Sequence, residues 1–272
     1  MKDHPTSSKA KDSWSSGDKY EPYIGRWSRL AAQEFLPWLE VPKDSHWVDV
    51  GCGTGALSQT ILQVADPAKI KAVDSSDDFV AFAQLHTHDQ RVGFEVGDAQ
   101  ALTFESGIYD AVVSGLMLNF IPQPERAVAE MTRIVREGGL VAAYLWDYAG
   151  KMQLLRHFWN AATALDPNAY DLDEGRRFPI CQPKPLGQLF EAAGLHNVEV
   201  RPIDIPTDFQ DFDDYWYPFL GGQGPAPGYI ASLGEEHRIA LQERLRASLP
   251  FALDGSIPLV ARVWAVKGIC LD

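Results

Sequence analysis

VDVGCGTGALS, at residues 48–58, carries the strongest structural signal in this chain. A β-branched run breaks into three glycines at alternate positions, and an apolar-periodic segment follows at residues 57–65. This order predicts a buried strand, a tight turn that lacks Cβ atoms, and a helix whose N-terminal amides face the turn. A ligand can press against bare backbone at such a turn. The segment therefore predicts a site for a nucleotide or a nucleoside cofactor.

Strand and helix signals alternate along the rest of the chain, as they do in βαβ units. This alternation predicts an α/β fold with a Rossmann-like, mostly parallel sheet and helices on both of its faces. Gly138-Gly139 is expected to end the helix that precedes it. The expected helices are 26–39, 79–85, 122–136, 153–165, 186–193 and 235–249, and the further expected strands are 70–73, 92–96, 109–114, 140–146, 198–203 and 257–266.

The length and composition predict one structured domain with a tail. Residues 1–20 are polar and are expected to be flexible. Residues 21–272 are expected to form a single domain, because 46% of the chain is hydrophobic. Residues 206–256 are too long for a plain connection and predict a cap or lid before the last strand. Its aromatic side chains either pack against the body or face a substrate; they are Phe209, Phe212, Tyr215, Trp216, Tyr217 and Phe219.

Composition also limits the partners and the location. A formal net charge of −13, without a dense lysine and arginine cluster, argues against nucleic acid as a partner. The chain has no run of about 18 apolar residues that would predict a membrane span, and its N-terminus lacks an apolar secretion signal. Cys52, Cys181 and Cys270 are widely spaced, which fits a cytoplasmic protein and predicts no metal site. These features leave the oligomeric state open.

The glycine turn alone does not identify the cofactor. Gly51, Gly53 and Ala56 also satisfy the pattern of dinucleotide binders, and Asp74 ends the second strand where a carboxylate binds ribose hydroxyls. An NAD(P)-dependent oxidoreductase is therefore one alternative. Asp49 argues against it, because a carboxylate beside the turn would repel a pyrophosphate but would suit an ammonium or a sulfonium. The segment 97–99 adds a carboxylate and an amide at the end of the third strand, where they can bind an adenine edge.

Five segments, in this order and spacing, resemble class I S-adenosylmethionine-dependent methyltransferases. They resemble in particular the small-molecule, ubiquinone/menaquinone-biosynthesis-like (methyltransferase type 11) branch. The resemblance covers residues 20–203 and the last strand. It implies a seven-stranded sheet whose last strand, near 257–266, is antiparallel, and S-adenosylmethionine as the cofactor that leaves as S-adenosylhomocysteine. The matching segments are 48–55, 72–76, 96–99, 109–114 and 129–139.

The resemblance also implies a role for each matching position. The methionine end of the cofactor would be held by Asp49, Gly51, Cys52, Gly53, Thr54 and Gly55, the ribose by Asp74 with Ser75 beside it, and the adenine by Asp98 and Ala99. Ser114, Gly115 and Leu116 would lie nearest to the sulfur. Tyr20, Tyr23 and Arg26 would close over the cofactor from the N-terminal segment, Arg26 through the methionine carboxylate.

Simpler interpretations of several of these residues stay open. Asp74 could only cap the next helix, and Asp98 could be a surface turn residue. Tyr23, Arg26 and Trp27 could belong to an ordinary amphipathic helix that packs on the core.

The acceptor and the catalytic groups are less clear from the sequence. Residues 114–117, SGLM, differ from the Asn/Asp-Pro-Pro-aromatic motif of enzymes that methylate amino groups of nucleic acids. A small organic acceptor is therefore expected, with aromatic and apolar character if the cap faces it. A non-catalytic protein that binds S-adenosylmethionine is a second alternative. The sequence identifies no general base, and Asp147 could be an ordinary loop acid; the candidates by location after the fifth strand are Asp147, His157, Tyr144 and Tyr148.

Overall fold

A seven-stranded sheet forms the centre of the computed structural model, which describes residues 25–221 and 224–271. The strand order is β3-β2-β1-β4-β5-β7-β6. The first five strands pair in parallel, and β7 is antiparallel to both of its neighbours. These findings confirm the α/β fold and the antiparallel last strand. The strands are β1 His46–Val50, β2 Lys69–Asp74, β3 Val92–Val96, β4 Tyr109–Gly115, β5 Val135–Trp146, β6 Leu195–Pro206 and β7 Val260–Cys270.

Helices flank the sheet because each has an apolar stripe to bury. In the helix Pro124–Ile134, four side chains at the spacing of a single helical face are fully buried: Ala127, Val128, Met131 and Ile134. Short 3₁₀ turns lie at Leu118–Phe120, Pro167–Leu172 and Tyr217–Gly221. The α-helices are α1 Arg26–Leu39, α2 Ala56–Val64, α3 Asp77–His86, α4 Pro124–Ile134, α5 Gln153–Leu165, α6 Glu174–Arg177, α7 Pro183–Ala192, α8 Phe212–Trp216, α9 Pro225–Ser232 and α10 Glu235–Ser248.

The junction between α4 and β5 differs from the sequence expectation. The helix ends at Ile134, and Val135 already has extended backbone angles, φ −71° and ψ 143°. Gly138-Gly139 therefore lies inside β5 and does not end the helix. A Cβ atom on Gly139 would lie 3.0 Å from the carbonyl oxygen of Asp110. The glycine thus permits a close backbone approach where the β4–β5 register shifts.

The segment expected to form a cap, residues 206–256 and called the cap below, packs on α5 and α1. Phe219 stacks on Phe158 of α5 with a 4.7 Å centroid separation, and the hydroxyl of Tyr215 donates to the carbonyl oxygen of Leu154 at 2.9 Å. Of the six aromatic side chains noted in the cap, Tyr217 is 71% exposed and the other five are buried. This packing favours the structural alternative for those five, and closure of the cap over a substrate stays a prediction.

The tail expected at residues 1–20 lies outside the described residues. In the parts of the chain that the structure describes, no helix has both the length and the apolar character that a membrane crossing requires.

Candidate functional site

A cavity of about 260 Å³ opens at the carboxyl ends of the parallel strands. In open α/β sheets ligands bind at this edge. The strand order places the ends of β2, β1, β4 and β5 in a row along the cavity. Its walls are Ser28, Gly51, Cys52, Gly53, Thr54, Ala56, Leu57, Asp74, Ser75, Ser76, Phe79, Gly115, Leu116, Met117, Phe120, Ile121, Tyr144, Trp146 and Tyr148.

The glycine turn contributes bare backbone to this cavity. Gly51, Gly53 and Gly55 have φ angles of 76°, 51° and 84°, in the left-handed region that side chains disfavour. A Cβ atom on Gly51 would lie 2.8 Å from the Cβ atom of Met117, whereas a Cβ atom on Gly53 would meet nothing within 4 Å. The turn is fixed to β2 because the amide of Gly51 donates to the carbonyl oxygen of Val73 at 2.7 Å. Gly53 therefore leaves space for a ligand against the main chain.

Asp49 lies buried beside the turn. Its side chain is 0% exposed, and its Oδ2 atom accepts from the Ser58 hydroxyl at 2.6 Å. Its Oδ1 atom has no hydrogen-bond partner among the described residues. Burial, with a smaller contribution from the neighbouring Asp74 carboxylate, raises the pKa of Asp49 to about 7 even though the Ser58 hydrogen bond lowers it. A cation bound near the turn would stabilise the ionised carboxylate, whereas a pyrophosphate would not.

Asp74 connects the turn to the start of α3. Its Oδ2 atom accepts from the amide of Gly53 at 2.9 Å, and its Oδ1 atom accepts from the amide of Ser76 at 2.9 Å. Burial raises the pKa of this carboxyl group, while the hydrogen bonds lower it. Each oxygen retains capacity for another donor, and Asp74 and Ser75 both line the cavity. Binding of a ribose there stays a prediction.

Asp98 and Ala99 lie outside the cavity wall, unlike the glycine turn. Asp98 is exposed, and its Oδ1 atom accepts from the amide of Gln100 at 2.8 Å. This hydrogen bond lowers the pKa of Asp98. Ala99 is buried. Neither residue is among those that line the cavity. Their contact with an adenine stays a prediction. Phe79, which the motifs did not single out, does lie in the cavity wall.

The end of β4 brings Ser114, Gly115 and Leu116 to the middle of the row. Gly115 and Leu116 line the cavity, and the buried Ser114 hydroxyl has no partner in the described ranges. Leu116 has a φ of 61°, and its amide donates to the carbonyl oxygen of Tyr144 at 2.8 Å. A Cβ atom on Gly115 would lie 2.7 Å from the Tyr144 hydroxyl oxygen. The glycine therefore lets Tyr144 close against the strand.

The residues expected to close over the cofactor are only partly described. Tyr20 and Tyr23 lie outside the described residues. Arg26 donates from Nη1 to Oδ1 of Asp214 in the cap at 2.9 Å, and its guanidinium lies 4.8 Å from the ring centroid of Phe209. Ser28, two residues later, lines the cavity. Contact of Arg26 with a methionine carboxylate stays a prediction.

The structure separates the four candidates for a catalytic group into two pairs. Tyr144 and Tyr148 are buried and line the cavity. Asp147 and His157 are not among the lining residues. The Asp147 carboxylate accepts from the backbone amides of residues 150–151, both at 3.0 Å, so it stabilises a turn. His157 is half-buried on α5, and desolvation lowers its pKa.

Aromatic and apolar groups that the motifs did not reveal form the rest of the wall. Met117, Phe120 and Ile121 follow β4, and Trp146 ends β5. Asp74 is the one charged side chain among the described residues that line the cavity. Its end near β5 is therefore uncharged and lined with aromatic rings. Within the described ranges, no cluster of three or more metal-ligating side chains is present.

Comparison with known proteins identifies a methyltransferase domain in this chain. A family model described as a methyltransferase domain matches residues 48–143, from β1 into β5. The ubiquinone biosynthesis O-methyltransferase of Burkholderia thailandensis is 31% identical over 162 residues. That alignment covers 57% of this chain and 66% of the relative, slightly less than two thirds of its length. The demethylmenaquinone methyltransferase of Bacillus licheniformis is 28% identical over 179 residues, 61% of this chain and 76% of the relative.

Solved structures show the same fold at low sequence identity. A methyltransferase structure from Bacillus halodurans has a TM-score of 0.59 at 14% identity and covers 89% of this chain and 100% of its own. The phosphoethanolamine N-methyltransferase 2 of Haemonchus contortus, solved with S-adenosylmethionine, has a TM-score of 0.58 at 14% identity. It covers 93% of this chain, which matches 57% of that chain.

These comparisons support neither an NAD(P)-dependent oxidoreductase nor a non-catalytic binding protein. The bare backbone at Gly53 and the buried carboxylate of Asp49 fit a cofactor that carries positive charge and no pyrophosphate. The chain contains a methyltransferase domain at residues 48–143 and is similar to class I S-adenosylmethionine-dependent methyltransferases that act on small molecules, and these findings support S-adenosylmethionine as its cofactor.

Proposed function

We propose that this protein methylates an oxygen atom of an uncharged aromatic acceptor. The observation that carries the proposal is the uncharged, aromatic end of the cavity, where Phe120, Trp146 and Tyr148 form the wall. Flat apolar rings favour a planar aromatic ligand over a strongly hydrated one. The name of the Burkholderia thailandensis relative, an O-methyltransferase of ubiquinone biosynthesis, supports oxygen as the methylated atom.

The cofactor would occupy the end of the cavity formed by β1 and β2. When bound, S-adenosylmethionine supplies an electrophilic methyl group on a sulfonium and leaves as a thioether. Gly53 would present its main chain to the methionine end, with Asp49 nearby to balance positive charge. Asp74, which already fixes the turn through the Gly53 amide, would accept hydrogen bonds from the ribose hydroxyls.

The other residues of the cavity would position the acceptor. Tyr144 closes against Gly115 at the middle of the row, so it would bound the space that the acceptor can enter. Phe120 and Tyr148 would exclude water from the reacting atoms. Holding the acceptor oxygen in line contributes several kcal/mol, because the reaction becomes effectively unimolecular. A lone pair of that oxygen would accept the methyl group as the carbon–sulfur bond of the cofactor breaks.

The proton of the acceptor hydroxyl would pass to solvent. Asp147 is engaged by the amides of residues 150–151, and His157 is not in the cavity wall. We therefore assign neither of them as a general base. An aromatic hydroxyl, with a pKa of about 10, ionises more readily than an aliphatic one. This property fits the proposed acceptor class.

Turnover with a panel of acceptors tests the proposal. Production of S-adenosylhomocysteine from S-adenosylmethionine would be measured with phenols, quinols, aromatic amines and aliphatic alcohols at equal concentration. We expect phenols and quinols to be converted with the highest kcat/KM. A clear preference for amines or aliphatic alcohols would contradict the oxygen or the aromatic part of the proposal, respectively.

We also propose a cytoplasmic location, supported by three free cysteines, Cys52, Cys181 and Cys270. From the net charge of −13 we still predict that the protein does not bind nucleic acid.

A further inference from the structure

A buried carboxyl group that the proposed reaction does not use lies behind the aromatic end of the cavity. Glu174 begins α6 and is 3% exposed, and it accepts a hydrogen bond from the indole N–H of Trp159, which is fully buried in α5. We infer that Glu174 is a positioning residue, which through this hydrogen bond holds the aromatic end of the cavity in the shape that the acceptor binds. The inference rests on the proposed function, because it concerns the acceptor side of the same cavity.

Helix α6 supports the cavity wall from behind. The amide of Phe178, the residue that follows α6, donates to the carbonyl oxygen of Glu174 at 3.0 Å. The centroid of the Phe178 ring lies 5.8 Å from that of Tyr148 and 5.3 Å from that of Phe120, and both of these residues line the cavity. A Cβ atom on Gly175 would lie 2.9 Å from the carbonyl oxygen of Tyr148, so the helix also touches the main chain there. A shift of α6 would therefore remove the support of two residues of the wall.

The position of α6 depends on side-chain contacts with α5. The helix has only four residues, Glu174–Arg177, and a helix this short is not stable by itself in water. Asp173, which precedes it, accepts from the amide of Gly175 at 2.8 Å and from the Arg156 guanidinium of α5 at 2.9 Å. The hydrogen bond between Glu174 and α5 is the second connection. Together the two connections join α6 to the longer helix.

The hydrogen bond of Glu174 is the more deeply buried of the two connections. The Arg156 and Asp173 side chains are 18% and 9% exposed. Burial raises the pKa of Glu174 to about 7, and a carboxyl group without a partner at this depth would cost free energy. A buried polar contact with its partners in place specifies one arrangement of the groups around it. The protonated carboxyl group keeps an oxygen that can accept, so the contact does not require the charge.

Acceptor binding should then depend on the fraction of molecules in which α6 is held in place. When only a fraction of the molecules has a competent site, the apparent dissociation constant rises by the inverse of that fraction. The cofactor end should respond less, because the glycine turn and Asp74 belong to β1 and β2. These strands lie on the other side of β4 from β5.

The test uses the acceptor of the panel that the wild-type protein converts best. In Glu174→Ala the KM for this acceptor should rise roughly tenfold, the effect of one lost buried hydrogen bond. The Kd for S-adenosylhomocysteine should stay within about twofold. Glu174→Gln should restore the wild-type KM, because its amide oxygen can accept from Trp159. Trp159→Phe should raise the KM as Glu174→Ala does, and the double variant should show no further rise, since both changes remove the same hydrogen bond.

Glu130 of α4 provides a matched control. Its Oε2 atom accepts from the amide of Leu102 at 2.8 Å, and its Oε1 atom pairs with Arg133 at 2.8 Å. None of these three residues lines the cavity. Glu130→Ala should lower the free energy of unfolding, measured by urea denaturation, and leave the KM for the acceptor unchanged. The control thus separates a general loss of stability from a change at the acceptor end.

Several results would overturn the inference. An unchanged KM in Glu174→Ala would do so, as would an equal rise in Glu174→Gln, which would mean that the hydrogen bond is not what matters. Parallel rises of the KM and of the Kd for S-adenosylhomocysteine would indicate a general structural role, and so would the same KM rise in Glu130→Ala. If Glu174→Ala does not fold, Trp159→Phe replaces it, and an unchanged KM there contradicts the inference.

Failure of the proposed function gives a different result. If the wild-type protein converts only amines or aliphatic alcohols, the proposed function is refuted, whereas the KM values of the variants with those acceptors still decide the role of Glu174. A wild-type protein that binds S-adenosylhomocysteine but converts no member of the panel would overturn both.

Discussion

Arg26 and Asp214 form an ion pair between α1 and the cap, with 2.9 Å between Nη1 and Oδ1. Their side chains are 32% and 28% exposed. The pair joins the first described helix, which contributes Ser28 to the cavity, to an element 188 residues later in the chain. Arg26 also lies against the rings of Trp27 and Phe209. The cap thus fixes the start of α1 beside the cavity.

We expect Asp214→Asn to lower the free energy of unfolding by about 1 kcal/mol, because a partly shielded ion pair is worth that much. Asparagine can still accept the hydrogen bond that the Gln210 amide donates to Asp214, so the change removes mainly the charge. Urea denaturation measures the effect. Asp213→Asn is the control, since Asp213 is 90% exposed and lies 4.0 Å from Arg246. A loss as large in the control would show that the Arg26 pair adds no stability.

Asp74→Ala should weaken the binding of S-adenosylhomocysteine by on the order of a hundredfold, because two charge-assisted hydrogen bonds to the ribose would be lost. Calorimetric titration measures the Kd. The side chain also accepts from the amides of Gly53 and Ser76, so thermal unfolding must be measured beside it. The exposed Asp77, in the first turn of α3, offers Asp77→Ala as a control with unchanged affinity. An unchanged Kd in Asp74→Ala would exclude the ribose role.

The two glycines of the turn should respond differently to alanine. A Cβ atom on Gly51 would collide with Met117, whereas one on Gly53 would project into open space. Both positions have positive φ, which adds about 1–2 kcal/mol of strain for alanine. We expect Gly53→Ala to show that strain alone and to weaken S-adenosylhomocysteine binding. Gly51→Ala should lose clearly more stability in denaturation experiments. If Gly51→Ala and Gly53→Ala lose equal stability and Gly53→Ala binds S-adenosylhomocysteine as tightly as the wild-type protein, the bare backbone of Gly53 has no role in binding.

The glycine turn and Asp74 could be predicted from the sequence because both follow from local patterns. Three glycines after a β-branched run permit the positive φ angles that the turn adopts, and an acid at a strand end falls at the ligand edge of a parallel sheet. Trp146 could not be predicted in the same way. Its place in the cavity wall depends on which strand lies beside β4, and tertiary structure decides that.

The wrong expectation for Gly138-Gly139, and the alternatives that the sequence leaves open for Asp147, have the same origin. Gly138-Gly139 looks like a helix terminator, yet the extended backbone at Val135 and the close approach of Asp110 place the pair in a strand. Asp147 follows a strand end just as Asp74 does, but its carboxylate accepts from the amides of residues 150–151. Local sequence does not distinguish an acid that stabilises its own turn from one that lies in the cavity wall.

Asp49 should make the protein less stable as the pH rises, which is the opposite of the effect that a salt-bridged carboxyl group has. Burial raises its pKa from 3.8 to about 7. The folded state therefore binds more protons than the unfolded state between about pH 4 and pH 7, and the free energy of unfolding contributed by Asp49 falls as the pH rises through that window. The slope is at most about 1.4 kcal/mol per pH unit. Below about pH 4 the group is protonated in both states and contributes no slope.

Asp49→Asn removes this titration and keeps an oxygen that can accept from the Ser58 hydroxyl. We expect the variant to gain stability relative to the wild-type protein as the pH rises from 4 to 7, measured by urea denaturation at several pH values. Asp98→Asn supplies a control of opposite sign, because hydrogen bonds from Gln100 lower the pKa of Asp98. A stability difference between Asp49→Asn and wild type that does not change with pH would mean that Asp49 is ionised throughout this range, with a positive group in place beside it.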